Sequence, residues 1–175
     1  VTGSATGNTL DYNFPTHTLE GSLDSVSFGS GVAYNGATDS FDQTTDIDIT
    51  GLGLTGTGPA NDVHNVVNGL MNADTSALLS QFDSGVTYVS STGNDVMTGF
   101  AGVDTFVFNS DSGFDVVDNF DTDGDLLDVS GWGVEHFCDL LVVSLFGDSY
   151  ITDGAEGAIK VSGVTGLDAN DFVFA

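Results

Sequence analysis

A nine-residue repeat in the second half of the chain constrains the fold more than any other feature. Gly93 and Asp95 recur nine residues later as Gly102 and Asp104, and an apolar residue follows each aspartate at the second position. This is the G-x-D-x-U core of a nonapeptide whose turns bind Ca²⁺, while its apolar residue points inward from a short strand. The spacing therefore predicts a coil of short strands joined by Gly-Asp turns.

More aspartates continue this pattern. Gly113 and Asp115 repeat the core after eleven residues, and an aspartate-rich segment follows at once. Calcium takes about six to eight oxygen ligands, and glycines let backbone carbonyls turn toward the ion. We predict that calcium binds between alternate turns. The Asp95 turn pairs with the Asp115 turn on one side of the coil, and the Asp104 turn pairs with the cluster from Asp121 to Asp125 on the other. The predicted metal-binding residues are Gly93, Asp95, Gly102, Asp104, Gly113, Asp115, Asp121, Asp123 and Asp125. Ordinary Asp-Gly turns between strands are the alternative.

The segment from Gly93 to Ala175 resembles the C-terminal part of the repeats-in-toxin proteins, especially serralysin-type proteases and related secreted lipases. The resemblance rests on GVDTFVF (102–108), DVVDNFDTDGDLLDVSGWG (115–133), FCDLL (137–141), GDSYI (147–151), IKVSGV (159–164) and LDANDFVFA (167–175). It implies a calcium-bound β-roll and sandwich, and an uncleaved C-terminal signal for type I export. Phe100 stands where the repeat has its second glycine, so the expected roll is short.

The composition of the chain limits the classes of partner that it can bind. The chain has 26 acidic residues against one basic residue, a formal charge of -25, which argues against nucleic acid and anionic membrane surfaces. Hydrophobic residues make up 40% of the chain, enough apolar surface to predict a folded protein. Cys138 is the single cysteine, which excludes an intramolecular disulfide, and its apolar neighbours predict a buried thiol. No signal peptide and no long apolar run are visible, so we expect C-terminal export to the cell surface or medium, without membrane insertion.

Periodicity predicts the elements of the first half. Alternating apolar residues predict strands at 9–14, 18–29 and 46–54, with a loop or irregular hairpin over 32–45. An apolar helical stripe predicts a helix that Asn61 or Asp62 caps, and a second, shorter helix follows it and ends at Gly85. We therefore predict an α+β, β-dominated fold. It comprises an antiparallel sheet with two helices (1–89) and a short calcium β-roll with a β-sandwich (90–175).

The first half also resembles a known family. FPTHTLEGSLDSVSFGSGV (14–32), DIDITGLGL (46–54) and VHNVVNGLMNADTSAL (63–78) resemble the second half of bacterial haem-acquisition hemophores, which are secreted α+β proteins. The resemblance implies haem binding by a tyrosine that a histidine supports. His17 matches that histidine, and Tyr12 is the tyrosine nearest the ligand position. However, the Tyr-to-His segment is three residues shorter than in the family, and alignment through Phe14 puts Asp11 in the ligand's place.

The rest of the hemophore pattern adds no further iron ligand. No residues correspond to the hemophores' N-terminal half, where a loop supplies a second iron ligand in some members. His64 matches a helix histidine that is not an iron ligand, and a structural role is expected for it. His136, beside Glu135, is expected to face solvent.

The chain lacks the residue patterns of an enzyme. It has no H-E-x-x-H helix and no G-x-S-x-G elbow, so we expect no catalytic activity. Two binding functions remain open. One is a secreted calcium-binding protein that captures haem at Tyr12 and His17. The other is a calcium-dependent structural, adhesive or carbohydrate-binding module that recognises a polysaccharide or self-associates.

Overall fold

The computed structural model describes residues 2–6, 9–38 and 40–175. Contacts divide the chain into two compact units, Val1–Gln81 and Phe82–Ala175. Several sheets and two short helices confirm the predicted α+β, β-dominated class. Within the described ranges no helix is long and apolar enough to cross a membrane.

Antiparallel strands form most of the first unit. Its strands are β1 (Thr2–Thr6), β2 (Thr9–Asn13), β3 (Thr18–Leu23), β4 (Ser25–Asn35), β5 (Ser40–Ile49) and β6 (Leu54–Gly56). One sheet has the order β1-β4-β5 and the other β2-β3-β6. The predicted strand 18–29 is interrupted at Asp24, where the chain leaves one sheet and enters the other.

One strand prediction for this unit was wrong, and another was confirmed in one of its alternatives. Residues 32–45 were predicted to be a loop or irregular hairpin, and most of them pair in the long β4–β5 hairpin, with register shifts at Phe28/Gly29 and Ser30/Ala33. A Cβ on Gly29 would lie 2.1 Å from the Thr44 carbonyl oxygen, so the strands approach too closely for any side chain. These bulges make the hairpin irregular. The predicted strand 46–54 was wrong, because it is two strands, separated by a segment where Gly51 and Gly53 have positive φ.

The helices lie close to their predicted positions. Helix α1 (Asp62–Met71) begins after Asn61, whose side chain accepts a hydrogen bond from the backbone N–H of His64. Helix α2 (Ser76–Leu79) is shorter than predicted and continues as a 3₁₀ turn over Ser80–Ser84. Helix α1 packs on β3 and β6. The buried apolar residues of this unit are Leu23, Val26, Val63, Val66 and Leu78.

Short parallel strands dominate the second unit. Its strands are β7 (Thr87–Val89), β8 (Val96–Thr98), β9 (Thr105–Val107), β10 (Gly113–Asp118), β11 (Leu126–Asp128), β12 (Leu141–Leu145), β13 (Asp148–Thr152), β14 (Gly157–Val161) and β15 (Phe172–Val173). From β7 to β11 the chain alternates between two sheets, with orders β15-β11-β9-β7 and β12-β13-β14-β10-β8. Because β7 pairs with β9, residues 87–89 belong to this unit, although the prediction placed them with the first.

The core of the second unit lies between these two sheets. Met97, Phe106, Val117 and Leu127 project from successive strands of the coil into one buried cluster. These inward positions recur every nine to eleven residues, so the repeat determines which side chains are buried. Cys138 was predicted to be buried, but it is exposed. It lies on the 3₁₀ turn Phe137–Asp139, where Phe137 instead packs on the cluster.

The cap of α1 provides a test of the first unit. Asn61 is buried, caps α1, and also donates hydrogen bonds to the carbonyls of Leu19 and Gly58. We expect Asn61→Ala to lower the free energy of unfolding by about 1 to 2 kcal/mol, because a cap and two buried hydrogen bonds are lost. Urea titration followed by circular dichroism measures this. Asn65→Ala, an exposed position of the same helix, is the control; equal midpoints for the two variants would contradict the role of Asn61.

Candidate functional site

The turn between β2 and β3 brings together the two residues predicted to bind haem. Asn13 and Thr18 form the last pair of the hairpin, and Tyr12 Oη lies 2.8 Å from His17 Nδ1. His17 has φ 55°, the left-handed conformation, in which histidine is one of the better tolerated residues. That conformation closes the short turn and returns the imidazole to the tyrosine. A hairpin therefore places the two rings together despite the shortened segment between them.

Hydrogen bonds fix the base of this turn. Glu20 Oε1 accepts from Asn13 Nδ2 at 2.7 Å and from the backbone N–H of Gly58 at 2.8 Å. Glu20 thus joins both strands of the hairpin to the loop that precedes α1. The hydroxyls of Thr16 and Thr18 lie 2.7 Å apart beside His17. These contacts limit the movement of His17 relative to Tyr12.

Exposed apolar side chains surround the tyrosine. The Tyr12 and Phe14 rings meet edge to face with centroids 5.0 Å apart, and 47% of Tyr12 and 75% of Phe14 are exposed. Leu10 lies two residues before Tyr12 on the same face of β2 and is 38% exposed. Asp11 points to the opposite face of the strand. The hairpin therefore presents the Tyr12 hydroxyl within an exposed apolar surface.

The other histidines have different environments. His64 Nδ1 accepts a hydrogen bond from the backbone N–H of Leu19 at 3.2 Å, which links α1 to β3. This agrees with the expected structural role. His136, in the second unit, lies 3.7 Å from Asp139 Oδ2, and 70% of its side chain is exposed, as expected.

In the second unit, the repeat aspartates bind main-chain N–H groups of their own and neighbouring turns. Asp104 Oδ1 accepts from Val86 N at 2.7 Å, and its Oδ2 accepts from Phe100 N at 2.6 Å. Asp125 does the same with the N–H groups of Asp104 and Asp121. Both carboxylates are buried, so their oxygens are occupied by these donors. Asp121 and Asp123 are exposed at the turn beside them.

The turns of Asp95 and Asp115 also lie together, as predicted, but their carboxylates differ in environment. Asp115 Oδ1 accepts from Asp95 N at 2.9 Å, while Asp95 binds the N–H of Ser91. Asp115 Oδ2 and the hydroxyl of Ser112 are both buried, and neither has a partner within hydrogen-bond geometry. Burial is the main cause that raises the pKa of Asp115, and the charge of Asp95 raises it further, whereas the N–H of Asp95 and the Ser112 side chain lower it. The Oδ2 atom of Asp115 therefore interacts with the Ser112 hydroxyl alone, outside good hydrogen-bond geometry.

The predicted glycines have a steric role. Gly113 has φ 87°, and a Cβ there would lie 2.8 Å from the Gly93 carbonyl oxygen. Gly102 has φ 95°, and a Cβ there would lie 2.6 Å from the nitrogen of Gly85. Both glycines therefore permit close approach of adjacent turns. Among the described residues no group of three or more His, Cys, Asp or Glu side chains is placed to hold a metal ion. The calcium site remains a prediction.

The Asp104 and Asp125 carboxylates lie close to Tyr88 inside the coil, although each of them accepts hydrogen bonds from main-chain N–H groups. Tyr88 stacks on Phe106, with ring centroids 4.9 Å apart, and donates a hydrogen bond to the Thr98 carbonyl. Burial, followed by the charges of Asp104 and Asp125, raises the pKa of Tyr88 to about 12. Tyr88 therefore stays protonated at neutral pH and keeps its role as a hydrogen-bond donor.

Sequence comparison assigns the chain to a family. The profile of the heme-binding protein A (HasA) family matches residues 3–129, which is more than half of the chain. This chain belongs to the HasA family. The hemophore HasA of Serratia marcescens is 42% identical to it over 84 residues, a segment that covers 45% of each protein. The chain thus spans less than half the length of that relative. The family match includes residues 93–129, the beginning of the segment that resembles repeats-in-toxin proteins, and that resemblance stays a prediction.

Sequence reasoning missed several residues of the HasA-like hairpin. Glu20 was within the quoted PTHTLEG motif, but its bond to Gly58 spans 38 residues and has no local signal. Phe14 was used only to align the segment. Phe14 lies in the turn directly after β2, and its ring meets Tyr12 edge to face, a contact that strand alternation does not predict.

Asp115 predicts a pH dependence of stability in the second unit. The pKa of Asp115 in the folded state is raised above the ordinary 3.8, so protonation of Asp115 favours the folded state. This contribution to the free energy of unfolding is fully present below about pH 4 and is lost as the pH rises through the folded-state pKa. In chelator at pH 7, Asp115→Asn should raise the free energy of unfolding by about 1 kcal/mol, because a buried carboxylate oxygen without a donor is removed. The gain should shrink toward pH 4. Thermal melts measure it against Asp123→Asn, an exposed position with the same charge change; equal gains in both variants would contradict the assignment.

Proposed function

We propose that this chain captures haem on the β2–β3 hairpin and acts outside the cell as a haem carrier without enzymatic activity. Tyr12 is the proposed iron ligand, and His17 is its hydrogen-bond partner. The observation that carries the proposal is the 2.8 Å contact between Tyr12 Oη and His17 Nδ1. Membership of the HasA family and the hemophore function of the Serratia relative support it.

The tyrosine–histidine pair has the chemistry that haem iron requires. A tyrosine oxygen can serve as a ligand of haem iron. To bind as the phenolate, Tyr12 would lose its proton, and a neutral imidazole can accept a proton at the nitrogen that carries none. His17 Nδ1 is within hydrogen-bond distance of Tyr12 Oη to accept that proton, and the protonated His17 would donate a hydrogen bond to the Tyr12 oxygen. This partner orients the ligand and tunes its basicity.

The surroundings of Tyr12 favour a large apolar ligand. Phe14 is 75% exposed, and Leu10 shares a strand face with Tyr12, so contact with a porphyrin would remove both from water. Burial of apolar surface contributes about 25 cal/mol per Å², which makes these neighbours a source of affinity beyond the iron bond. Asp11 lies on the opposite face of β2, and this supports Tyr12 as the ligand rather than Asp11.

Haemin titration tests the proposal. We expect the wild type to shift the Soret band of haemin with saturable binding, and Tyr12→Phe to remove the shift or weaken affinity by about tenfold or more, because the ligand oxygen is lost. His17→Ala should retain binding but weaken it, because the phenolate loses its hydrogen-bond partner. Tyr34→Phe, at another exposed tyrosine, is the matched control. A wild type that leaves the Soret band unchanged, or a Tyr12→Phe variant that binds normally, would refute the site.

A second proposal concerns calcium in the second unit. The supporting observation is the pair of buried oxygens without donors, Asp115 Oδ2 and Ser112 Oγ, in a turn that also contains Asp95. Oxygen-rich turns in a chain of charge -25 favour a hard cation. The Asp104 and Asp125 carboxylates do not fit this role, because main-chain N–H groups occupy their oxygens. Calcium binding is therefore proposed for the Asp115 turn alone.

Thermal melts with and without chelator test the calcium proposal. If calcium binds only the folded state, it should raise the melting temperature of the wild type above that in EDTA. Asp115→Asn should lose this response, because the charged oxygen is gone, whereas Asp123→Asn should keep it. Asp104→Ala is not a useful probe, because the loss of its hydrogen bonds would destabilise the coil with or without calcium. A wild-type melt that is the same in calcium and EDTA rules this proposal out.

A further inference from the structure

Two asparagines of the chain directly precede a glycine, and the fold places them in different environments. Asn35 and Gly36 lie at the tip of the β4–β5 hairpin, whereas Asn68 and Gly69 lie inside α1. The nitrogen that follows an asparagine can attack its side-chain amide and release ammonia. A glycine at the next position favours this attack, because it has no side chain to hinder it. Local structure therefore decides which of the two asparagines reacts.

The backbone after Asn35 turns back over its side chain. Asn35 Oδ1 accepts a hydrogen bond from the Ala37 N–H at 3.1 Å, and the Asn35 carbonyl accepts one from the Thr38 N–H at 3.3 Å. A side chain that accepts from the N–H two residues later folds over the peptide between them, so the Asn35 amide lies beside the Gly36 nitrogen. The bond from Ala37 also stabilises negative charge that develops on Oδ1 during the attack.

The Gly36 nitrogen is available for this reaction. Gly36 and Ala37 are exposed to solvent. Among the residues that the structure describes, none accepts a hydrogen bond from the Gly36 N–H. Hydroxide can therefore reach this group and remove its proton.

The same dipeptide in α1 is held in an unreactive form. Because α1 contains both Asn68 and Gly69, the Gly69 N–H donates to the carbonyl four residues earlier and is not free to lose its proton. The Asn68 carbonyl accepts from the N–H of Asn72 at 3.2 Å and from its side-chain amide at 2.7 Å. Ring closure at Asn68 would require this part of the helix to open first. Asn68 is thus an internal control for Asn35.

We propose that Asn35 is a site of spontaneous deamidation in the folded protein. Hydroxide removes the Gly36 N–H proton, and the nitrogen forms a bond to Asn35 Cγ. The Cγ–Nδ2 bond breaks, and the nitrogen leaves as ammonia after it takes a proton from water, which regenerates hydroxide. Water then opens the cyclic imide at either carbonyl and gives aspartate or isoaspartate. The net reaction consumes water, releases ammonia and involves no oxidation or reduction.

Deamidation removes the contact that closes the hairpin tip. Asn35 Nδ2 donates to Asp42 Oδ2 of β5 at 3.0 Å. A carboxylate at position 35 has no proton to donate and is repelled by Asp42. Isoaspartate also adds the side-chain carbon to the main chain, which shifts the pairing of Asn35 with Ser40. The product is a hairpin with an open tip and one more negative charge.

Peptide mass spectrometry after incubation at mildly alkaline pH tests the proposal. The protein is kept without haemin and in EDTA, so the result is independent of the proposed haem and calcium sites. In the folded protein Asn35 should deamidate about tenfold or more faster than Asn68, because α1 must open before Asn68 can react. In urea the two rates should become similar. Equal rates in the folded protein, or no reaction at Asn35, would overturn the proposal.

Gly36→Ala tests the attacking nitrogen. This variant should slow deamidation of Asn35 about tenfold or more and leave Asn68 unchanged, because a Cβ hinders the attack. The added Cβ would meet the Tyr34 ring at 3.6 Å, an ordinary contact, so the hairpin keeps its fold. A Gly36→Ala variant that deamidates at Asn35 as fast as the wild type contradicts the mechanism.

Asn35→Asp reproduces one product and tests its effect on the hairpin. Hydrogen exchange at the end of the β4–β5 hairpin should become faster in this variant, because the bond to Asp42 is lost. The double variant Asn35→Asp with Asp42→Asn should restore slow exchange, because the amide at position 42 can donate to the carboxylate at position 35. Exchange that is unchanged in Asn35→Asp would show that deamidation does not open the tip.

Discussion

Hydrogen bonds from main-chain N–H groups to aspartate carboxylates are the interaction on which the second unit depends. Parallel coils with such short strands leave many turn N–H groups without a strand partner. Asp104 and Asp125 accept two of these groups each, one from their own turn and one from the adjacent turn. Each carboxylate therefore closes one turn and fixes its spacing from the next. Charge-assisted bonds of this kind are stronger than neutral ones and compensate for burial of the carboxylates.

The first unit uses polar side chains differently, as links between elements distant in sequence. Asn61 caps α1 and also binds the carbonyl of Leu19 on β3, while His64 accepts the N–H of the same residue. Glu20 binds the loop before α1 and the opposite strand of the hairpin. The hairpin that carries Tyr12 and His17 is thus connected to the helix through three side chains. Such support would keep the geometry of the proposed ligand-binding pair.

Local patterns in the sequence predicted local structure well. The stripe of α1 and its Asn61 cap depend on residues within a few positions of one another, and both are present. The β4–β5 hairpin depends on pairing across the bulge at Gly29, which no local pattern encodes. Cys138 was misassigned because apolar neighbours in sequence do not share a direction on a 3₁₀ turn.

For Tyr12 and His17, the short segment between them argued against a contact of the two side chains, and only the backbone conformation of His17 shows how the rings meet. The aspartates were correctly recognised as turn residues, but sequence does not distinguish a carboxylate that binds a cation from one that accepts N–H groups.

Lys160 has a consequence for the resistance of the chain to proteolysis. Proteases that cleave after lysine or arginine have this one target in the whole sequence. It lies in β14, between β10 and β13, and its side chain is held by Asp148. Cleavage requires an extended, mobile substrate segment, and a strand hydrogen-bonded on both sides does not supply one. The folded chain is therefore intrinsically resistant to trypsin-like digestion.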